Sequence, residues 1–180
     1  MTFEDAIKNK PKAVPVLYLD LDGTVRKGFD ELGKFVKNAD DVFVFPEVPD
    51  IINKYRAKGY RVVAITNQGG FALGHITRQD LRSQIEETQR QCKYLFDKML
   101  ACTHHPDAKE EEFAICFCRK PRIGLVVNAC SALNEMYRNE YYPPHMALFV
   151  GDREEDKGCA ENANIKFMDA KEWRSKGGHW

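Results

Sequence analysis

Two carboxylates stand one residue apart at the end of an apolar run near the start of the chain. The run covers 16–19, and Asp20 and Asp22 follow it, with a glycine at position 23 that permits a sharp turn. Two carboxylates in one pocket with different surroundings acquire different proton affinities. One of them can attack a substrate while the other carries protons, which is the chemistry of covalent acid–base catalysis.

Polar donors follow a second apolar run, and two basic residues precede a predicted helix. The run 61–65 ends in Thr66 and Asn67, and glycines follow at 69 and 70. Hydroxyl, amide and exposed backbone N–H groups suit a phosphate oxygen. Arg119 and Lys120 are unfavourable beside the positive end of a helix dipole unless an anion lies there. Lys120 can neutralise a phosphate, and the Arg119 guanidinium can bind a second anionic group through two donors.

A second acidic cluster follows the fourth apolar run and predicts a cation site. Asp152 can join Asp20 around a hard cation, with the carbonyl of Asp22 and phosphate oxygens as further ligands. An all-oxygen ligand set of this kind suits Mg²⁺. The alternative interpretation is a helix N-terminus whose acidic residues interact favourably with the helix dipole.

Three cysteines and a histidine form two tight pairs. Cys102 and His104 lie two residues apart, as do Cys116 and Cys118. Zinc prefers four thiolate or imidazole ligands in a tetrahedron, so the pairs predict a structural zinc site that closes the loop of about 102–118. His105 is also within reach, but the spacing favours His104. Scattered buried thiols are the alternative.

Five apolar runs of strand length alternate with helix-like segments. They cover 16–19, 61–65, 98–101, 146–150 and 165–168. Strand–helix–strand order predicts a parallel sheet with right-handed crossovers, and the carboxyl ends of its strands form a ligand-binding edge. The predicted class is α/β, a three-layer sandwich with a central, mainly parallel sheet. Residues 2–9 are expected to form a short helix, and about 25–45 a hairpin flap.

Composition restricts the class of protein. With 180 residues, 43% of them hydrophobic, the chain is expected to form a single domain over 1–180. Lys plus Arg and Asp plus Glu both number 27, so no overall field attracts nucleic acid or anionic lipid. No run approaches the ~18 apolar residues of a membrane span, and a signal-peptide core is not found. A cytoplasmic protein is expected, with its six cysteines as free thiols or metal ligands.

Four ordered motifs cover most of the chain: Asp20-Leu-Asp22-Gly-Thr, Thr66-Asn67-Gln68, Lys120, and Gly151-Asp152 with Asp156. Together they resemble the motifs of the haloacid dehalogenase superfamily of aspartate-nucleophile phosphatases, with its Rossmann-like fold. The two glycines that follow Gln68 and the cysteine loop are similar to those of the heptose-bisphosphate and histidinol-phosphate phosphatases. Those are small, nearly capless members with a structural zinc loop. The sequence departs from their common Arg, Ser, Pro and Lys at Leu21, Gly69, Ile123 and Arg153.

The resemblance implies a mechanism. Asp20 attacks phosphorus to form an aspartyl-phosphate, and Asp22 protonates the leaving alkoxide and later activates water. Asp20, Asp22 and Asp152 hold Mg²⁺, while Asp156 and Arg153 support the cluster. The cation is needed because an anionic nucleophile otherwise repels an anionic phosphate.

The resemblance also implies a substrate site. Thr66, Asn67, Arg119 and Lys120 contact the substrate, which is expected to be a small sugar phosphate or a related metabolite. With little sequence for a cap, the flap and the zinc loop are expected to set specificity.

Two other functions stay open at this point. Relatives of this fold act on nucleic-acid ends, so a polynucleotide 3′-phosphatase is one alternative, although the balanced charge disfavours a nucleic-acid partner. A non-catalytic, zinc-stabilised binding module of the same fold is the other, and the joint presence of Asp20, Asp22, Lys120 and Asp152 disfavours it. A monomer without a membrane partner is expected.

Overall fold

A five-stranded parallel sheet runs through the middle of the molecule in the computed structural model, which describes residues 10–29 and 35–179. In chain order the strands are β1 Lys12–Ala13, β2 Val16–Leu19, β3 Arg26–Lys27, β4 Phe43–Val44, β5 Arg61–Asn67, β6 Lys98–Cys102, β7 Glu140–Tyr141, β8 Leu148–Gly151 and β9 Lys166–Asp169. The sheet has the order β6-β5-β2-β8-β9, and each neighbouring pair is parallel. The chain thus builds outward from β2 first on one side and then on the other. This reversal creates a crevice at the carboxyl end of β2.

Helices cover both faces of the sheet. They are α1 Val48–Ala57, α2 Arg78–Gln91, α3 Glu111–Ala114, α4 Gly124–Met136, α5 Glu154–Asn162 and α6 Ala170–Ser175. Leu17 and Leu19 belong to one core with residues of α1 and α6, whereas Val16 and Tyr18 belong to a second core with residues of α4 and α5. This alternation follows from the two-residue period of a strand. The predicted three-layer α/β sandwich is confirmed.

The central strands are apolar throughout because both of their faces are covered. All four residues of β2 and all four of β8 are buried. Burial of each large aliphatic side chain contributes about 1.5–3 kcal/mol to folding. The acids that follow these strands are therefore held at the end of a rigid element.

Strand β5 is longer than the sequence predicts. It continues through Thr66 and Asn67, which pair with Ala101 and Cys102 of β6, instead of ending at position 65. The partner strand supplies ladder hydrogen bonds that make the extended conformation favourable for these polar residues. The residues predicted for the phosphate site consequently lie on a strand rather than on a loop.

The predicted hairpin is present as the antiparallel pair of β3 and β4. Residues 30–34, which belong to the predicted flap, and residues 2–9, which were expected to form a helix, lie outside the described residues. None of the helices that the structure describes is long and apolar enough to cross a membrane.

Candidate active site

The carboxyl ends of β2, β5 and β8 converge on a cavity of about 490 Å³. Its walls include eight of the nine residues predicted for the catalytic, substrate and magnesium sites: Asp20, Asp22, Thr66, Asn67, Arg119, Lys120, Arg153 and Asp156. The ninth, Asp152, places a carboxylate oxygen within 4.8 Å of those of Asp20 and Asp156. The fold thus brings together residues drawn from most of the chain.

A buried ammonium lies at the base of the cavity. The Lys120 Nζ lies 2.5 Å from Asp20 Oδ1 and 2.6 Å from Asp156 Oδ1, and it donates to the carbonyl of Ile65 at 3.0 Å. Burial raises the pKa of Asp20 to about 7, and the attraction of Lys120 acts in the opposite direction. Burial also opposes the charge on Lys120, but Asp20 and Asp156 outweigh it and raise the pKa of the ammonium. The lysine therefore stays positively charged.

The carboxylates outnumber the ammonium and leave room for a cation. Both oxygens of Asp156 are engaged, Oδ1 by Lys120 and Oδ2 by the backbone N–H groups of Asp152 and Arg153 at 3.2 and 3.1 Å. Burial raises the pKa of Asp152 as well. Hard oxygen donors that carry uncompensated negative charge fit Mg²⁺, with Asp20 and Asp152 as the available ligands.

Two glycines allow the acidic loops to approach each other. A Cβ atom on Gly23, whose φ is +91°, would lie 2.1 Å from Asp152 Oδ2, and one on Gly151 would lie 2.3 Å from the Cβ of Asp156. Any side chain at either position would displace a carboxylate. The turn after Asp22 therefore needs glycine for space as well as for its backbone conformation.

The carboxylate of Asp22 is held at both oxygens. Its Oδ1 accepts from Nε of Arg26 at 2.8 Å, and its Oδ2 accepts from Nε2 of Gln68 at 2.6 Å. Gln68 also donates to Oγ1 of Thr66 at 3.0 Å. The sequence does not predict a role for Arg26, because nothing marks it except its position four residues after Asp22. Gln68 stands out in the sequence only as the last residue of the Thr66-Asn67-Gln68 motif.

Asn67 contacts the backbone of Lys120 on both sides of its amide. Its Nδ2 donates to the Lys120 carbonyl at 3.1 Å, and its Oδ1 accepts from the Lys120 N–H at 3.0 Å. These two hydrogen bonds fix the chain that carries the buried ammonium. The side chain predicted to contact substrate thus uses both of its polar groups within the protein.

Arg119 and His105 form one wall of the cavity beside Gly69. Arg119 Nη1 donates to the carbonyl of His104 at 3.1 Å, which orients the guanidinium. A Cβ atom on Gly69 would lie 2.8 Å from His105 Cδ2 and 3.0 Å from Arg119 Nη1. Glycine at this position therefore lets both side chains pack closely. This gives a physical reason for glycine at position 69 in place of the serine that is common in the phosphatases it resembles.

The predicted cysteine pairs form one cluster. The ligand atoms of Cys102, His104, Cys116 and Cys118 all lie within 4.8 Å of one another, and Cys102 Sγ lies 3.1 Å from Cys118 Sγ and 3.7 Å from Cys116 Sγ. Four ligands around zinc with Zn–S bonds of about 2.3 Å place their sulfurs about 3.8 Å apart. The donor set and the spacing of Cys102 and Cys116 fit a tetrahedral zinc, whereas Cys102 and Cys118 lie closer together than zinc ligands do. His105 faces the cavity instead, and its Nδ1 accepts from the backbone N–H of Asp107 at 3.2 Å.

The cluster is connected directly to the cavity. It joins the end of β6 to the segment that precedes Lys120, and the backbone N–H of Arg119 donates to Cys116 Sγ at 3.4 Å. None of the six cysteines is in a disulfide bond. The loop that carries the cluster therefore determines where the basic residues of the cavity stand.

Comparison with known families and proteins gives a consistent result. A family model described as polynucleotide kinase 3 phosphatase matches residues 15–173. The chain is 31% identical over 159 residues to the D-glycero-β-D-manno-heptose-1,7-bisphosphate 7-phosphatase of Salmonella typhi, covering 86% of this chain and 78% of that protein. It is 30% identical to the enzyme of the same name from Escherichia coli strain K12, covering 86% and 77%.

Solved structures resemble the fold over most of its length. A haloacid dehalogenase-like phosphatase from Mesorhizobium loti matches with a TM-score of 0.73 and 25% identity, over 87% of this chain and 71% of that chain. The D,D-heptose 1,7-bisphosphate phosphatase from B. bronchiseptica, solved with magnesium and phosphate, matches with a TM-score of 0.66 and 25% identity, over 86% and 78%.

Proposed function

Because the chain belongs to the polynucleotide kinase 3 phosphatase family and its relatives are heptose-bisphosphate phosphatases, we propose that it hydrolyses a small sugar phosphate. The reaction proceeds through an aspartyl-phosphate formed on Asp20. The prediction of a haloacid dehalogenase-type phosphatase is confirmed by its relatives. The observation that carries the proposal for the site is the convergence of Asp20, Asp22 and Lys120 at one end of the cavity.

Asp20 is the proposed nucleophile. Lys120 holds its Oδ1 at 2.5 Å, so the carboxylate has a fixed orientation at the end of β2. An incoming phosphate brings further negative charge, and the same ammonium can interact with a phosphoryl oxygen. Lys120 thereby allows two anions to approach each other.

Asp22 is the proposed general acid and base. Its carboxylate lines the cavity, while Arg26 and Gln68 hold its two oxygens from the protein side. It gives a proton to the leaving alkoxide in the first step and accepts one from water in the second. Both steps require the same carboxylate to stay within reach of the substrate.

The magnesium ion is assigned to Asp20 and Asp152, with Asp156 holding the loop that carries Asp152. The relative from B. bronchiseptica was solved with magnesium and phosphate, which supports the same cation here. When bound, Mg²⁺ neutralises charge on the nucleophile and on the phosphoryl oxygens. The carbonyl of Asp22 is the further ligand that the sequence predicts.

Zinc is assigned to the cluster of Cys102, His104, Cys116 and Cys118. Because four protein ligands fill a tetrahedron, the ion has a structural function. It fixes the loop that leads into Arg119 and Lys120. Asn67 is assigned to the positioning of Lys120, since its amide is bonded to the backbone of that residue.

The relatives support a sugar phosphate as the substrate. Those named above act on a heptose bisphosphate, and the cavity of about 490 Å³ can hold a molecule of that size. Arg119, on the cavity wall, can bind a second anionic group of the substrate. Thr66, whose hydroxyl accepts from Gln68, is the proposed donor to the transferred phosphoryl group.

A polynucleotide 3′-phosphatase is the second candidate, because the family model carries that description. The net charge of zero counts against it, since phosphate backbones are bound mainly through excess positive charge. The monomeric state and the cytoplasmic location stay predictions.

Phosphate release from a substrate panel tests the proposal. The panel contains sugar monophosphates and bisphosphates, histidinol phosphate and a 3′-phosphorylated oligonucleotide, each with and without Mg²⁺. We expect Mg²⁺-dependent turnover that is fastest for a sugar phosphate. Faster release from the oligonucleotide, with an affinity that falls as salt increases, would establish the second candidate instead.

A further inference from the structure

Arg26 is fully buried, yet its side chain points toward the catalytic carboxylates. Its exposed fraction is 0%, whereas that of the Asp22 side chain is 13%. Among the residues that the structure describes, Asp22 is the carboxylate in an ion pair with this guanidinium. One partner of the pair is therefore dry and fixed, and the other borders the cavity.

The remaining donors of Arg26 are bound by α2. Its Nη1 donates to the carbonyl of Gln84 at 3.0 Å and to Oγ1 of Thr88 at 2.7 Å, and its Nη2 donates to Oε1 of Gln84. Gln84 and Thr88 are themselves fully buried. The inward face of α2 is thus polar at these two positions because it holds the guanidinium.

A buried ion pair has a cost that packing alone does not explain. A buried guanidinium loses its hydration, and an apolar side chain of similar size is often as stable or more stable. Four hydrogen bonds, one of them to the Asp22 carboxylate, nevertheless hold Arg26 in place. The arrangement is therefore better explained by what it does to Asp22 than by its contribution to folding.

We propose that Arg26, anchored by Gln84 and Thr88, is the positioning residue for Asp22. The inference rests on the proposed function, since it needs Asp22 to be the general acid and base. Arg26 Nε holds Oδ1, and Gln68 Nε2 holds Oδ2, so rotation of the carboxylate about its own bond is prevented. Asp22 therefore keeps one orientation through both steps of the reaction.

The leaving group separates this role from a structural one. An alkoxide needs a proton in order to leave, whereas p-nitrophenolate leaves without one. Loss of a correctly placed acid therefore slows phosphoryl transfer to Asp20 far more from an alkyl phosphate than from p-nitrophenyl phosphate, whereas the second step is common to both esters. General damage to the fold reduces both rates by the same factor.

The experiment measures the rate at which each ester releases its leaving group in a single turnover of the Mg²⁺-loaded protein, for wild type, Arg26→Met, Arg26→Lys and Thr88→Val. Arg26→Met is expected to lower this single-turnover rate roughly 100-fold for the alkyl phosphate and less than about 5-fold for p-nitrophenyl phosphate. Arg26→Lys restores part of the difference because it keeps the charge. Thr88→Val leaves Arg26 in place and is expected to show a smaller effect of the same sign.

Arg56→Met is the control, because Arg56 lies away from the cavity. Its Nη1 is 2.9 Å from Asp97 Oδ2. It is expected to leave the ratio of the two rates unchanged. Equal losses for both esters in folded Arg26 and Thr88 variants would overturn the positioning role while leaving the phosphatase intact. If the wild type hydrolyses neither ester, the proposed function and this inference are overturned together.

Discussion

Lys120 Nζ lies 2.5 Å from Asp20 Oδ1, so residues 100 positions apart form one buried ion pair. Asp20 ends the central strand, and Lys120 follows the loop that carries the cysteine cluster. The pair therefore links the nucleophile of the proposed mechanism to the loop that carries the cysteine cluster. Damage to either side is expected to appear in both stability and activity.

Replacement of Lys120 by methionine tests this link. The side chain keeps its volume, but Asp20 and Asp156 lose the cation that both contact. Breaking one partner of a buried pair costs about 3–5 kcal/mol of stability, and loss of the phosphoryl contact lowers kcat roughly 100-fold or more. Denaturant unfolding and phosphate release measure the two effects. Lys176→Met, which breaks an exposed pair with Glu172, is the control and is expected to change neither.

Adjacent histidines provide a matched test of the zinc site. His104 lies in the cysteine cluster, whereas His105 lines the cavity. We expect metal analysis to find one zinc per chain in the wild type and in His105→Ala, and less in His104→Ala. Removal of zinc by a chelator, followed by restoration of excess Mg²⁺, is expected to lower stability and phosphate release together, because the loop positions Lys120. Equal zinc content in the two variants would show that the cluster does not bind zinc through His104.

Gly69→Ser tests how closely the cavity wall is packed. The new Cβ would lie 2.8 Å from His105 Cδ2 and 3.0 Å from Arg119 Nη1, so these side chains must move. Displaced substrate contacts are expected to raise KM several-fold, with a smaller change in kcat. Gly70→Ser is the matched comparison, since Gly70 also lines the cavity but its Cβ would have no neighbour closer than 3.7 Å. A KM that is the same in both variants would exclude a role for this wall in binding.

The ion pair of Arg61 and Glu140 predicts a pH dependence of stability. Arg61 donates to both Glu140 oxygens at 2.9 and 2.6 Å, and these hydrogen bonds lower the pKa of Glu140 below its ordinary value. A carboxyl with a lowered pKa in the folded state stabilises the fold above its unfolded pKa and loses that contribution as the pH falls. Glu140→Gln is therefore expected to be less stable than wild type at pH 7, by up to about 1 kcal/mol.

The difference between wild type and Glu140→Gln should shrink as the pH falls below about 4.5, where the unfolded carboxyl takes up its proton. Urea unfolding at a series of pH values measures it. Glu86→Gln, which breaks an exposed helical pair with Arg82, is expected to show a smaller difference at every pH. A difference that stays constant between pH 7 and pH 3 would exclude the ionic contribution.

Much of the fold and of the candidate site follows from local sequence. Continuous apolar runs that end in Asp20 and Asp152 identify central strands, and parallel strands place their carboxyl ends at one edge. The two-residue spacing within each pair similarly predicts the cluster of Cys102, His104, Cys116 and Cys118. These features depend on neighbours in the chain, so the sequence alone is sufficient to predict them.

Other features depend on partners far along the chain. Arg26 contacts Gln84 and Thr88, which lie 58 and 62 residues away, and no local pattern marks that contact. The motif predicts that Asn67 contacts the substrate. Its amide is instead hydrogen-bonded to the backbone of Lys120, which lies 53 residues along the chain. Side-chain partners across the sheet are set by tertiary packing, which a single sequence does not specify.

The aspartyl-phosphate on Asp20 is the central claim, and trapping it is the most direct test. Asp22→Asn with p-nitrophenyl phosphate and Mg²⁺ permits the first step, since this leaving group needs no acid, and slows the second, which needs a base. After acid quenching, peptide mass mapping is expected to find one added phosphoryl group on Asp20, and none in a variant that also carries Asp20→Asn. Two results together would contradict the mechanism: hydrolysis that persists in Asp20→Asn, and no phosphoryl group on Asp20 in the Asp22→Asn variant.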